Sequence, residues 1–355
     1  MFNVNIEVSG LRGQNLTGIG IYIKNLVSYL IQNNELNVSG SYKISRWKAR
    51  DVIKAHSGLE TLYLTVPYLE SLFLGNATLI HGPDYWVPNT SKIKKVVTIH
   101  DFSVYHSGLW DDDFAKNGRK SIEKLLLKTK PDEVIVVSDF VKNELLERFP
   151  QYENKVHTVY HGADHFHEGS IENLFPIHPK PYILCLGTVE YRKNQWNLAQ
   201  SFNHAKLQDV DLIFIGGNQG FMGEEITKDI AALQNRNIIY KNYLPTSDLE
   251  KYLKNALFTV YPSKYEGFGF PILESMAMGV PVLTSNFGAM SEIAGEAAYK
   301  VNCNDIEELR NGLSILIENS ALRQELINRG TERVKTFTWE KCATETVEVY
   351  KNALC

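Results

Sequence analysis

Short apolar runs alternate with amphipathic stretches along the whole chain. Residues 2–8 form the first apolar run, and residues 19–32 carry apolar side chains at the three- and four-residue spacing of a helix. Further strand-like runs read ATLIHG, KVVTIHD, DEVIVVSDF, YILCLG, DLIFIGG, NIIYKNYLP, LFTVYPS and VPVLTS. Helices are predicted between them, for example over 194–207 and 246–256. This alternation predicts an α/β protein whose parallel sheets are covered by helices.

The two series of strands are separated by HEGSIENLFPIHPKP, residues 167–181. This stretch lacks periodicity and is rich in Gly and Pro, so we interpret it as an interdomain linker. A chain of 355 residues is also long enough for two domains of ordinary size. Ligands of parallel sheets bind beyond the carboxyl ends of the strands, and most conspicuous motifs of this chain lie at such ends.

Composition and charge narrow the class of function. The formal net charge is −4 and neither half is strongly basic, which disfavours a nucleic-acid binder. The first residues, MFNVNIEVSG, lack the features of a signal peptide, and no apolar run approaches the roughly 18 residues that span a bilayer. The four cysteines show no CxxC spacing, as expected of reduced thiols. We therefore expect a cytoplasmic protein.

The most informative stretch is SKYEGFGFPILESMAMGVPVLTSN, residues 263–286. Pro271 suits the first turn of a short helix over 271–278, and Gly279 suits its end. The free N–H groups at the start of such a helix attract an anion such as phosphate.

Two carboxylates and two glycines complete this stretch. Gly267 and Gly269 allow close approach of the backbone to a ligand. Glu274 could accept hydrogen bonds from a pair of ribose hydroxyls, and Glu266 could do the same for a sugar ring. The alternative is a plain strand–turn–helix connection with solvated carboxylates.

EGFGFPILE followed by SMAMGVPVLTSN resembles the signature of retaining glycosyltransferases of family 4, which have the GT-B fold. Six further segments resemble parts of that family in the same order: TGIGIYIKNLVSYL, TIHDFSVYH, VIVVSDFVKNEL, VYHGADH, LGTVEYRKNQWNL and FTWEKCA. The resemblance covers nearly the whole chain. It implies two Rossmann-like domains whose parallel sheets face a central cleft: 1–172 binds the acceptor, 173–337 binds a nucleotide-sugar, and a C-terminal helix, 338–355, packs back toward the first domain.

The resemblance also implies roles for individual residues. Glu266 would contact donor-sugar hydroxyls, Glu274 the ribose, and Arg192 with Lys193 the donor diphosphate, although a solvated pair is the alternative for these two cations. His100 would lie beside the donor sugar, unless it is a structural histidine at a strand end. The remaining implied donor-binding residues are Gly18, Gly20, Gly267, Phe268, Gly269 and Phe270. Gly18 and Gly20 are expected just before a helix that starts near Ile21, where their N–H groups could face the diphosphate, unless they form only a structural turn. Many relatives carry a further Arg where this chain has Thr188.

Metal binding is not expected. His157, His161, His165 and His167 crowd one loop but lack a zinc-type framework. The acidic runs 111–113 and 209–211 resemble metal-binding pairs of another glycosyltransferase fold, but we expect them at a helix start and a strand start. The family works without a metal, so no cofactor is predicted.

The basic segment 115–130 has two interpretations. It carries Ile122, Leu125 and Leu126 on one side, as expected of a helix packed on the first sheet. The alternative is a patch that rests on an anionic membrane, where a lipid-linked acceptor would be found.

The resemblance thus predicts a hexosyltransferase that uses a nucleoside-diphosphate sugar and a saccharide acceptor, in bacterial surface-polysaccharide synthesis such as O-antigen (lipopolysaccharide) assembly. Mannose from a guanosine diphosphate donor is favoured, with uridine donors close behind. The alternative is an inactive sugar-nucleotide-binding partner or scaffold. An NAD-dependent enzyme is disfavoured because GGNQG, residues 216–220, does not match the dinucleotide fingerprint.

Overall fold

The structure is a computed structural model, and it describes residues 1–13, 16–66, 74–88, 92–165, 177–205, 207 and 209–355, without the side chains of 246 and 247. The chain forms two compact units. Unit 1 comprises Met1–Phe102, Lys116–Gly162 and Phe337–Cys355, and unit 2 comprises Ser103–Ala115 and Ala163–Thr336. The predicted linker, 167–181, lies mostly outside the described residues.

Unit 1 contains, within the described residues, a seven-stranded sheet in the order β3-β2-β1-β4-β5-β6-β7. All neighbouring strands are parallel. In the inner strands Leu79–Gly82, Lys94–Ile99 and Glu133–Val136 most side chains are buried on both faces, which explains why these sequence runs are mostly apolar. The strands are β1 (Phe2–Glu7), β2 (Leu36–Lys43), β3 (Leu62–Thr65), β4 (Leu79–Gly82), β5 (Lys94–Ile99), β6 (Glu133–Val136) and β7 (Val156–Thr158).

The helices around the first sheet include the last helix of the chain. This helix packs against the first helix of the chain and against β5 and β6, and its Trp339 and Tyr350 are almost completely buried. The helices are α1 (Gly18–Leu30), α2 (Arg50–Ser57), α3 (Asp112–Glu123), which continues as a π-helix (Lys124–Thr129), α4 (Asp139–Arg148) and α12 (Trp339–Leu354).

Unit 2 has the same architecture, with a six-stranded parallel sheet in the order β10-β9-β8-β11-β12-β13 over its described residues. The strands are β8 (Tyr182–Leu186), β9 (Asp211–Ile215), β10 (Ile238–Lys241), β11 (Phe258–Tyr261), β12 (Val282–Ser285) and β13 (Tyr299–Val301). The helices are α5 (Gln195–His204), α6 (Gly223–Ala232), α7 (Thr246–Lys254), α8 (Phe270–Ala277), α9 (Gly288–Ala294), α10 (Ile306–Glu318) and α11 (Ser320–Val334). The predicted α/β class is confirmed.

Some elements differ from the sequence-based prediction. The strands β2, β3, β7 and β13 were not predicted, because three of them have only three or four residues and β2 reads LNVSGSYK, with polar side chains and a glycine. The stretch 103–115, which the sequence places in the first domain, packs with unit 2.

The basic segment 115–130 is a helix packed on the core. Its apolar residues Ile122, Leu125 and Leu126 are at most 4% exposed, so they are unavailable to a membrane surface. Among the residues that the structure describes, no helix is both long enough and apolar enough to cross a bilayer.

Candidate active site

The cations predicted to bind the donor lie beyond the carboxyl end of β8. The chain leaves β8 at Leu186 and forms a single 3₁₀ turn, Tyr191–Lys193, immediately before α5. Asn194 joins the turn to α5 in the left-handed conformation (φ 62°). Its amide donates hydrogen bonds to the carbonyl oxygens of Pro262 (3.1 Å) and Cys303 (2.7 Å). These bonds anchor the turn beside the end of β11, where the glycine-rich stretch begins.

Both predicted cations converge on one carboxylate. The Arg192 guanidinium (Nη1) lies 2.5 Å from Glu266 Oε2, and Lys193 Nζ lies 3.1 Å from Glu266 Oε1. The Ser263 hydroxyl also donates to Glu266 Oε1 at 3.2 Å. Arg192 is shared with a second carboxylate, because its Nη2 lies 2.6 Å from Glu190 Oε1. The four ionic side chains form one connected cluster, and none is more than 22% exposed.

The charges around Glu266 control its protonation. Burial by itself would raise the pKa of this carboxyl, but Arg192 and Lys193 outweigh that effect and lower the pKa to about 2. Glu266 is therefore ionised at neutral pH. The cluster holds two fixed cations, pre-oriented on a rigid turn and partly shielded from water, which is the arrangement that stabilises charge on a leaving group.

Glu274 lies in the opposite electrostatic environment. It is half-buried on α8, and burial, only partly offset by the Lys193 charge, raises its pKa from 4.5 to about 7. A carboxyl with this pKa is a mixture of the neutral and ionised forms at neutral pH. The two glutamates of the EGFGFPILE stretch are therefore chemically different, and both interact electrostatically with Lys193.

The loop and helix between these glutamates are as the sequence predicts. Gly269 precedes α8 with φ 110°, a conformation that side chains disfavour, and Pro271 lies in the first turn. Gly279 follows the helix with φ 69°, as expected of a helix-ending glycine. The rings of Phe268 and Phe270 contact each other edge to face, with 5.3 Å between centroids, and Phe268 is 5% exposed.

The glycines of the first helix need a correction. The helix was expected to start near Ile21, but α1 begins at Gly18, so Gly18 and Gly20 belong to its first turn rather than preceding it. Thr17 caps this helix, and its hydroxyl accepts a hydrogen bond from the Gly20 N–H at 3.4 Å. The Gly20 N–H therefore already has a partner, although a weak one, within unit 1.

His100 is buried at the end of β5 in unit 1. Its Nε2 hydrogen-bonds the carbonyl oxygen of Pro83 at 2.7 Å, and rings of Tyr22 and His161 lie 5.3 and 5.6 Å away. Burial lowers its pKa, so the ring is neutral at physiological pH. A neutral ring that donates from Nε2 carries a lone pair on Nδ1, which is the atom a sugar hydroxyl could use.

The crowded histidines of the predicted loop each contact a different partner where the structure describes them. His157 lies 2.8 Å from Glu133, His161 packs between Tyr22 and Trp339, and His165 contacts Phe270; His167 is outside the described residues. In the described ranges no group of three or more His, Cys, Asp or Glu side chains is arranged for a metal ion.

The acidic runs belong to secondary structure as expected. Asp111 accepts hydrogen bonds from the N–H groups of Asp113 and Phe114 at the start of α3. Asp211 begins β9 and lies 2.6 Å from His178.

Three residues of the site were missed by sequence reasoning. Glu190 pairs with Arg192, the Tyr265 carbonyl oxygen accepts from Arg192 at 2.9 Å, and the Trp110 ring lies 5.6 Å from the Arg192 guanidinium carbon. Glu190 could have been found because an acid two residues from a buried Arg is a natural partner. Trp110 gave no signal, because 82 residues separate it from Arg192 in the sequence.

Two family models of glycosyltransferases match successive parts of the chain. The family model "Glycosyltransferase Family 4" matches residues 17–165, and the model "Glycosyl transferases group 1" matches residues 169–333. An O-antigen chain mannosyltransferase B of Escherichia coli is 28% identical over 284 residues, which is 77% of this chain and 74% of that protein.

Solved structures show the fold. Sucrose-phosphate synthase of Thermosynechococcus elongatus matches with a TM-score of 0.76 at 19% identity, covering 100% of this chain and 99% of that one. Anabaena HepE, solved in complex with UDP-glucose, matches with a TM-score of 0.77 at 13% identity, covering 99% and 100%. Together with the two family models, these likenesses show that the chain is a GT-B glycosyltransferase and belongs to glycosyltransferase family 4.

Proposed function

We propose that this glycosyltransferase moves a hexosyl group, with mannose favoured, from a nucleoside-diphosphate sugar to a saccharide acceptor in bacterial surface-polysaccharide synthesis. The acceptor class includes saccharides carried on a lipid. The observation that carries the proposal is the convergence of Arg192 and Lys193 on Glu266 at the carboxyl end of the unit 2 sheet. The name of the E. coli relative supports a mannosyl donor and an O-antigen setting.

The cluster matches the chemical demand of the reaction. Breaking the sugar–phosphate bond places negative charge on the departing diphosphate, and preorganised cations stabilise that charge without rearranging. In the proposed mechanism Arg192 supplies a fork that matches two phosphate oxygens and Lys193 supplies a compact charge. Glu274 binds the ribose hydroxyls from α8, and Glu266 binds hydroxyls of the sugar.

Glu266 has a second part in this mechanism. While the donor is absent it neutralises the two cations, and when the diphosphate arrives the phosphate oxygens replace the carboxylate as their partner. The carboxylate is then released to accept hydrogen bonds from the sugar. We also propose that transfer retains the anomeric configuration, by front-face attack of the acceptor assisted by the leaving phosphate, as the resemblance to retaining glycosyltransferases of family 4 implies.

The decisive experiment begins with thermal unfolding of the purified protein with GDP, UDP, dTDP or ADP. A ligand that binds the native state raises the melting temperature, so the preferred nucleotide gives the largest shift. Slow hydrolysis of GDP-mannose, compared with UDP-glucose, then tests the sugar, and NMR of the released sugar reports the anomeric configuration. Stabilisation by none of the four nucleotides would refute the proposal, and stabilisation by UDP alone would refute the guanosine preference.

A further inference from the structure

The segment Ser103–Ala115 directly follows the strand that ends beside His100, yet its contacts group it with unit 2. One of its rings contacts the ionic cluster, and another contacts the residue before Glu266. The His106 ring lies 4.6 Å from the Tyr265 ring, and Arg192 Cζ lies 5.6 Å from the centre of the Trp110 ring. Tyr265 precedes Glu266, and its carbonyl oxygen accepts a hydrogen bond from Arg192. Both contacts therefore lie next to the Arg192–Glu266 ion pair.

The Trp110 side chain is itself held in place. Its Nε1–H donates to the hydroxyl of Ser103 at 2.9 Å, and Ser103 is only 2% exposed. The ring also packs against the Phe114 ring, with 4.8 Å between the ring centroids. Rotation of the indole would break the hydrogen bond and the packing together. The ring is thus held in place beside the Arg192 guanidinium, and this contact adds to the hydrogen bonds that orient an otherwise flexible side chain.

We propose that Trp110 is a positioning residue that holds the Arg192 guanidinium in the orientation that binds the donor diphosphate. The inference rests on the proposed function, in which Arg192 contacts that diphosphate. An Arg guanidinium within about 6 Å of a Trp ring centre is attracted to it by an energy that corresponds to roughly a 2- to 30-fold change in an equilibrium constant. A guanidinium that is already oriented loses less entropy when the ligand binds, so affinity rises without a new contact to the ligand.

The test compares two substitutions at Trp110 with a matched control. Trp110→Leu removes the ring, Trp110→Phe keeps an aromatic face but removes the Nε1–H donor, and Trp47→Leu removes a tryptophan that is 62% exposed on the turn Ile44–Ala49 of unit 1. Calorimetric titration with GDP and with UDP measures the dissociation constant. Trp110→Leu is expected to raise it about 2- to 30-fold, Trp110→Phe to raise it less, and Trp47→Leu to leave it unchanged.

A double-mutant cycle separates positioning from a general effect on folding. If Trp110 acts through Arg192, then Trp110→Leu changes nucleotide affinity less than about 2-fold in an Arg192→Gln background. Equal losses in both backgrounds would overturn the inference, and so would wild-type affinity of Trp110→Leu. If Trp110→Leu does not fold, as judged by circular dichroism, the same cycle is run with Trp110→Phe.

The outcomes also separate this inference from the proposed function. Loss of affinity in Arg192→Gln without loss in the Trp110 variants would overturn the positioning role alone. Full nucleotide affinity in Arg192→Gln would overturn both, because the diphosphate would then not be bound by Arg192.

Discussion

Glu266→Gln separates the two parts that the carboxylate plays. The substitution keeps the size of the side chain and removes the negative charge that faces Arg192 and Lys193 at 2.5 and 3.1 Å. Lowering the pKa of Glu266 from 4.5 to about 2 corresponds to a contribution of roughly 3 kcal/mol to the free energy of unfolding when this carboxyl is ionised. Because the pKa is lowered on folding, this stability is present above pH 4.5 and is lost as the pH falls toward 2. At neutral pH the variant is therefore expected to lose up to about 3 kcal/mol of its free energy of unfolding.

Nucleotide binding is expected to change in the opposite direction. In the variant the two cations have lost the anion they share, so a nucleoside diphosphate meets less competition. Its dissociation constant should stay the same or fall by up to about 10-fold, while kcat should fall about 10- to 1000-fold because the contact to the sugar is weakened in the transition state.

The assay combines urea unfolding, calorimetric titration with GDP and UDP, and steady-state kinetics, with Glu60→Gln at an exposed loop position of unit 1 as the matched control. Glu60→Gln should leave all three quantities within error of the wild type. A 10-fold loss of nucleotide affinity in Glu266→Gln would refute competition between Glu266 and the diphosphate. An unchanged free energy of unfolding would refute the stabilising role of the ion cluster.

Three further outcomes follow from the same structure. The proposed contact of Glu274 with ribose hydroxyls needs the ionised carboxylate, and the pKa of Glu274 is raised to about 7. Nucleotide affinity should therefore rise between pH 6 and 8, and rise more in the wild type than in Glu274→Gln. Parallel pH profiles of the two proteins would contradict this role. Turnover should survive EDTA, since Arg192 and Lys193 supply the positive charge, and activity that EDTA abolishes and manganese restores would contradict the metal-independent site. Tyr350→Phe should lower the free energy of unfolding by about 1–3 kcal/mol in urea titrations, because it removes the hydroxyl that lies 2.7 Å from Nδ1 of buried His81. The control Tyr243→Phe, at a position that is 58% exposed, should change the free energy of unfolding by less than about 0.5 kcal/mol.

The sequence predicted the elements whose pattern is local. Buried parallel strands such as β8 and β11 read as continuous apolar runs, and α8 is bounded by a proline and a glycine with well-understood preferences. The short strand β13 has three residues, too few for any periodicity, and it is a strand because β12 pairs with it. The start of α1 was placed too late, because glycines are poor helix formers and the cap at Thr17 decides the boundary.

The site was predictable only in part for a similar reason. Glu266, Glu274 and the two cations lie in recognisable motifs, but the sequence does not tell how those motifs meet. The bonds that bring them together come from Asn194, whose partners Pro262 and Cys303 are 68 and 109 residues away. The protonation states of Glu266 and Glu274 could not be predicted from the sequence either, because their pKa values depend on burial and on charges that come close only in the folded chain.

The two glutamates of the EGFGFPILE motif show how strongly the folded environment decides protonation. They are eight residues apart, yet the pKa of Glu266 is lowered to about 2 and that of Glu274 is raised to about 7. The pKa of Glu266 is lowered because two cations contact this carboxylate directly. The pKa of Glu274 is raised because α8 holds it in a half-buried position, where the charge of Lys193 compensates only part of the desolvation. Groups whose environments push their pKa values apart can take different chemical roles at one pH. A carboxylate that stays charged can respond to charge that develops at the reacting sugar, whereas a carboxyl with a pKa near 7 can gain its charge as ribose hydroxyls bind, and this difference supports the separate roles proposed for the two residues.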